Sequence, residues 1–160
     1  MKSFTVSLWI NTKALTSDPC IFSNKNWDRG GNSGFVISIR NSNGGDVRVN
    51  YGKDGAFRTD LDISLPADYV NGWVHLIVIV DRENNKLGAC IDFGNIKTGN
   101  IPENLQGTSL DTSYSYNIGQ DGRGSYGAAL PSTLDEFMIF DGAFTQEDVA
   151  NLAKYYGITK

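Results

Sequence analysis

Phe4-Thr5-Val6-Ser7-Leu8-Trp9-Ile10-Asn11 alternates apolar and polar side chains with a period of two, which places Phe4, Val6, Leu8 and Ile10 on one face of a strand. Short runs of this kind recur along the chain, each bounded by turn formers. Cys20-Ile21-Phe22 and residues 34–40 read as strands, separated by a polar loop with Gly30-Gly31 at its crest. Asn43-Gly44-Gly45-Asp46 is a turn signal before Val47-Arg48-Val49-Asn50-Tyr51, so residues 35–51 form a hairpin. Residues 73–80 are apolar on both faces, as a central strand covered on both sides would be. Asn84-Asn85-Lys86 turns that strand into another over residues 87–93, and residues 114–118 and 134–140 supply two more. Only the tail has helical spacing. Thr145 is its N-cap, Val149, Leu152, Ala153 and Tyr156 make its apolar stripe, and Gly157 is its stop.

Composition narrows the chemistry. Gly, Asn and Ser make up 46 of 160 residues, enough turn formers for many short elements, so the expectation is one all-β domain over residues 1–160. That length buries a core without a metal or disulfide. The net charge is −4, which argues against a phosphate-tracking surface and so against nucleic acid as a partner. The longest apolar run, residues 76–80, is far too short to cross a bilayer, so no membrane insertion is expected. One histidine, His75, and two cysteines, Cys20 and Cys90, do not suffice for a Cys/His zinc site. His75 lies in the most apolar strand and reads as a core histidine with one satisfied nitrogen. The cysteines read equally as two buried thiols or as a disulfide.

The four glutamates, Glu83, Glu103, Glu136 and Glu147, are too scattered for a glycosidase carboxylate motif. Asp135 and Glu136 are adjacent on an expected strand, so alternation sets them on opposite faces. No enzyme is expected. Binding has better material. The loop Asn24-Lys25-Asn26-Trp27-Asp28-Arg29-Gly30-Gly31-Asn32-Ser33 sets an aromatic among amides and charges, and residues 120–127 offer a similar mix. Sugars are held by such sets: a ring stacks on C–H groups while planar polar groups take hydroxyls. Trp9 and Trp73, in strands, read as core.

Phe4-Thr5-Val6-Ser7-Leu8-Trp9-Ile10, Gly72-Trp73-Val74-His75-Leu76, Asn117-Ile118-Gly119-Gln120-Asp121-Gly122, Leu134-Asp135-Glu136-Phe137 and Phe144-Thr145-Gln146-Glu147-Asp148-Val149 occur in the order of the strands and closing helix of laminin G-like and pentraxin-like domains, which this chain resembles. The resemblance implies a two-sheet antiparallel jelly-roll sandwich of concanavalin A-like type with one short C-terminal helix. It also implies a non-catalytic, lectin-like carbohydrate-binding module, exported to the cell surface or beyond. Relatives carry a further strand ahead of the first motif, so the module is expected to be part of a larger chain whose other domains are its partners. The alternative is a protein-binding adhesion or structural module. Relatives of pentraxin type place the two polar loops side by side, which implies a glycan site of Asn24, Lys25, Trp27, Asp28, Arg29, Gln120, Asp121, Arg123 and Tyr126. The same resemblance implies Ca2+ held by Asp28, Asn32 and Asp121, with Asp135 at a structural-ion position. Arg123 stands where those relatives have a further acidic ligand, which favours one ion or none. Tyr51 and Arg58 are the fallback site should Trp27 prove structural.

Overall fold

A computed structural model describes residues 2–15, 17–42, 44–53 and 57–158. Asn43 of the expected turn lies outside them. Ten strands form among the described residues: β1 (Phe4–Thr12), β2 (Cys20–Ser23), β3 (Gly34–Arg40), β4 (Asp46–Lys53), β5 (Phe57–Ser64), β6 (Trp73–Asp81), β7 (Lys86–Ile91), β8 (Lys97–Asn100), β9 (Asn117–Ile118) and β10 (Ser132–Asp141). One helix, α1 (Gln146–Tyr155), closes the described chain. All the strand pairs are antiparallel and make two five-stranded sheets, in the orders β10-β1-β6-β7-β8 and β5-β4-β3-β2-β9.

Alternation builds the core. Val6, Leu8 and Ile10 of β1 and Leu76, Val78 and Val80 of β6 face Phe35, Ile37 and Ile39 of β3 and Val47, Val49 and Tyr51 of β4, all buried in one cluster between the sheets. Each such aliphatic side chain contributes ~1.5–3 kcal/mol on leaving water. The outer face of the first sheet has its own apolar patch: Ile77, Ile79, Cys90 and Phe93 pack under Val149 and Ala153 of α1. That is why residues 73–80 are apolar on both faces. The helix starts as expected. Asp148 donates its backbone N–H to Thr145 Oγ1, while the Thr145 N–H and hydroxyl both donate to the Asp148 carboxylate and hold its pKa below the usual carboxylate range.

Four expectations need correction. β5 and β8 were not expected at all. β7 ends at Ile91, because Asp92 and Phe93 turn left-handed at φ 48° and 57°. β9 is two residues long, and Tyr114 and Tyr116 precede it as half-exposed loop side chains. Most consequential is β10. The register skips a residue between the pairs Ser7↔Met138 and Trp9↔Asp135, and Glu136 sits in the bulge with φ 50°. Asp135 and Glu136 therefore do not face opposite sides; both line one shallow depression with Trp9 and Trp73. Cys20 and Cys90 are buried in separate clusters and make no disulfide.

Candidate functional site

The two polar loops come together at one edge of the second sheet. β2 pairs antiparallel with β9, Ser23 opposite Asn117, and the segment after Ile118 leaves alongside Ile21, where the Gly119 N–H donates to Ile21 O. Asn117 donates Nδ2 to the carbonyls of Asp121 and Gly122, folding that segment back, and Gly122 then donates its N–H to Lys25 O at 2.8 Å. The approach is close enough to exclude a side chain: a Cβ on Gly122 would lie 2.6 Å from the Asn24 carbonyl carbon.

Asp121 ties the loops. Its carboxylate is fully buried and accepts from the backbone N–H groups of Trp27 (3.3 Å), Ser125 (3.1 Å) and Tyr126 (3.2 Å) and from Arg123 Nε (3.3 Å). Burial works to raise its pKa, yet the donors Ser125, Trp27, Arg123 and Tyr126 together hold it below the usual carboxylate value. Arg123 also reaches across to Asp28, with its terminal nitrogen 2.8 Å from Oδ1. One guanidinium thus bridges a buried carboxylate to an exposed one.

Several residues expected to touch ligand are frame instead. Trp27 is only 6% exposed: it packs on Cys20, Val36 and Tyr126, and its indole N–H donates to Asp18 O at 3.2 Å. It offers no free stacking face. Asn24 spends its amide on Leu110 O (2.7 Å) and its oxygen on the Phe35 N–H (2.9 Å). Lys25 is fully buried, donating from Nζ to Gly30 O and Asn50 Oδ1 with the Trp27 ring 5.7 Å away; burial pulls its pKa down to about 7. Gln120 is half-buried, donating to Tyr126 O and accepting from the Asp121 N–H. Tyr126 donates its hydroxyl to Asp18 Oδ1 at 2.5 Å; burial and that carboxylate push its pKa up. What the edge presents to solvent is Asp28, Arg29 and Arg123. The fallback fails too. Tyr51 is a fully buried core residue whose hydroxyl donates to the carbonyls of Leu105 and Thr108.

Calcium does not fit these residues. Both Asp121 oxygens are taken by protein donors, and Arg123 puts a cation between Asp121 and Asp28. Asp135 is on β10, in the other sheet. Among the described residues no three His, Cys, Asp or Glu side chains converge on a metal position. Metal-stripped protein should therefore melt at the same temperature in calcium as in EDTA, since an ion stabilises only the state that binds it. A midpoint that climbs with calcium would mean that the loops open to free Asp121.

Asp18 and Asn50 escaped the sequence reading, because each acts through a partner distant in sequence. So did the outer face of the second sheet, where Arg40 clasps Asp46 (2.7 and 2.6 Å), Arg48 clasps Asp62 (2.7 and 2.7 Å) and Arg58 meets Asp60 (3.0 Å). Alternation of Arg58, Asp60 and Asp62 along β5 was the available signal.

Two antiparallel five-stranded sheets wrapped on one core define a jelly-roll sandwich. A family model described as the concanavalin A-like lectin/glucanases superfamily matches residues 1–150, and the chain belongs to that family. No curated protein matches it. Among solved structures it is similar to the CBM40 module of the Ruminococcus gnavus IT-sialidase, at TM-score 0.67 and 13% identity over 94% of this chain and 82% of that one. Domain 4 of the Geobacillus stearothermophilus extracellular arabinanase AbnA, solved with arabinotriose, aligns at TM-score 0.62 and 22% identity over 96% and 68%. Botulinum neurotoxin type C, whose cell entry depends on interaction with two ganglioside molecules, aligns at TM-score 0.66 and 14% identity; this chain covers 36% of that one. At these identities the likeness is one of fold.

Proposed function

We propose that this chain is a non-catalytic glycan-binding module, exported and joined to a larger enzyme or surface protein, whose ligand edge is the loop pair of residues 24–33 and 120–127. One observation carries the reading: Asp121 locks two polar loops into a single surface, so Asp28, Arg29 and Arg123 stand ready without an ordering cost on binding. Guanidinium and carboxylate groups match paired sugar hydroxyls through two-point hydrogen bonds. A bacterial sialidase and an arabinanase carry modules of this fold, which supports the class and leaves the sugar open.

Catalysis has little behind it. Glycoside hydrolysis needs carboxyls on either side of the bond. Asp135 and Glu136, though they share a depression, are consecutive on β10 and form one wall of it. Protein docking is the weaker alternative, because the most exposed apolar side chains, Tyr155, Ile139 and Ile118, lie apart on α1, β10 and β9.

The test is a glycan array followed by titration of the best glycan into wild type and Arg29→Ala. Arg29 is exposed, so its loss should leave the melting temperature unchanged and weaken binding at least about tenfold, or ~1.4 kcal/mol. Binding by Arg29→Ala and Asp28→Ala at wild-type strength would remove the loop pair as the ligand edge.

A further inference from the structure

The first sheet holds a second set of groups suited to sugar, on the face opposite the core. Strand register assembles it. Trp9 on β1 stands between Asp135 on β10 and His75 on β6, and the next outward row is Thr133, Asn11 and Trp73. Trp73 and Trp9 are thus diagonal neighbours. The bulge at Glu136 adds a second carboxylate, at the cost of a left-handed φ of 50° in a residue with a Cβ. Trp9, Trp73, Asp135 and Glu136 line a depression of about 340 Å³. A second depression, of about 360 Å³, lies beside the next row and is lined by Asn11, Lys13, Asn71 and Thr133 among others.

The aromatics are held differently. Trp9 is half-buried and wedged edge-on against His75, Phe93 and Tyr156 at centroid distances of 4.8, 5.9 and 5.7 Å, so it is a rigid floor. Trp73, at the start of β6, is 48% exposed although its strand is otherwise buried. Helix α1 covers Ile77 and Ile79 of that face and leaves Trp73 bare. Their place in strands reads as core in the sequence, and neither indole lies between the sheets: Trp9 is half-buried on the outer face and Trp73 is exposed.

We infer that this groove is a second saccharide site, specific for neutral sugars and independent of the loop edge. Indole faces take the C–H face of a pyranose, and carboxylates accept hydrogen bonds from its hydroxyls. No cation lines the first depression, where the two carboxylates repel uronic and sialic acids; Lys13 belongs to the second, away from the indoles. The run of amide and hydroxyl groups through Asn11 and Thr133 suits a chain of sugars, where an aromatic cage for a lone cation would need no polar extension. The ligand class rests on the proposed glycan-binding role; the site does not.

The chain carries its own reporter. Of three tryptophans, Trp27 is buried and Trp9 is half-buried, so collisional quenching by acrylamide reads mainly Trp73. Cellohexaose, xylohexaose and mannohexaose should be titrated singly, with hexagalacturonate as the acidic arm and choline as the cationic one. At least one neutral hexaose should shield Trp73 from acrylamide, while hexagalacturonate and choline leave quenching unchanged. Binding of that hexaose should weaken at least about tenfold in Trp73→Ala. It should also weaken in the Asp135→Asn/Glu136→Gln double variant, which keeps the indoles and the shape. Failure of every neutral hexaose to shield Trp73, or undiminished binding in both groove variants, overturns the proposal. Shielding by choline or hexagalacturonate alone does so as well. Loss of binding in Arg29→Ala with the groove variants unaffected sinks the groove and leaves the loop edge standing.

Discussion

Trp27→Ala should lower the melting temperature by roughly 6–20 °C, the shift expected from emptying a buried indole site at about 3–5 kcal/mol in a chain of this length. The indole fills the space between Cys20, Val36 and Tyr126, and Lys25 lies over its ring. Its backbone N–H is one of the four donors to Asp121, so a collapse at Trp27 reaches the joint between the loops. Trp27→Phe separates the contributions. It keeps an aromatic ring and loses the bond to Asp18 O, and so should cost only about 1 kcal/mol beyond the smaller ring volume. Thermal melts of the two variants check both figures. A stable Trp27→Ala with weakened glycan binding would restore the stacking platform that the sequence invites.

That invitation shows where sequence reasoning stops. Val6, Leu8 and Ile10 were legible as core because a strand's period of two is carried in neighbouring residues. The fate of Trp27 is set by Cys20, Val36 and Tyr126, three segments that only the fold brings together. Its own loop offers mostly Gly and Asn beside the indole, and Tyr126 of the opposite loop packs against it. Strand β8, Lys97-Thr98-Gly99-Asn100, has no apolar residue to announce it and exists because β7 offers it a ladder. Strand β5 was legible in principle, since Phe57, Thr59, Leu61 and Ile63 alternate with Arg58, Asp60, Asp62 and Ser64. Asp135 and Glu136 obeyed alternation on paper. The left-handed turn at Glu136 broke it, and nothing in Leu134-Asp135-Glu136-Phe137 marks that turn, because a bulge is a mismatch between two strands.

Stability should fall as the pH drops from 7 to 5, and His75 should be the cause. The ring is fully buried, stacked on Phe93 at 4.0 Å, with Nε2 3.1 Å from Ser7 Oγ and Nδ1 without a partner. Burial pulls its pKa down to about 4, against 6.5 for a free imidazole. A proton added to the ring has no acceptor waiting at Nδ1, whereas the unfolded chain binds it readily. The folded state is therefore unpenalised above pH 6.5, loses stability as pH falls from 6.5 towards 4, and loses no more from this group below that. The full gap amounts to about 3 kcal/mol, of which about 2 kcal/mol is gone by pH 5. That corresponds to a melting temperature lower by roughly 4–8 °C. The buried Lys25 amine titrates mostly above this window, because its pKa of about 7 against an ordinary 10.5 places most of its loss of stability between those values, with only a tail below pH 7. The depressed carboxylates Asp62, Asp121 and Asp148 begin to lose their share only near and below their ordinary 3.8. Between pH 7 and 5 the slope thus belongs mainly to His75, and below pH 6 almost wholly to it. His75→Leu should flatten it while costing some stability at pH 7 through the bond lost to Ser7. An unchanged slope in that variant would show that the imidazole takes up its proton in the folded state, through a rearrangement that supplies Nδ1 with an acceptor.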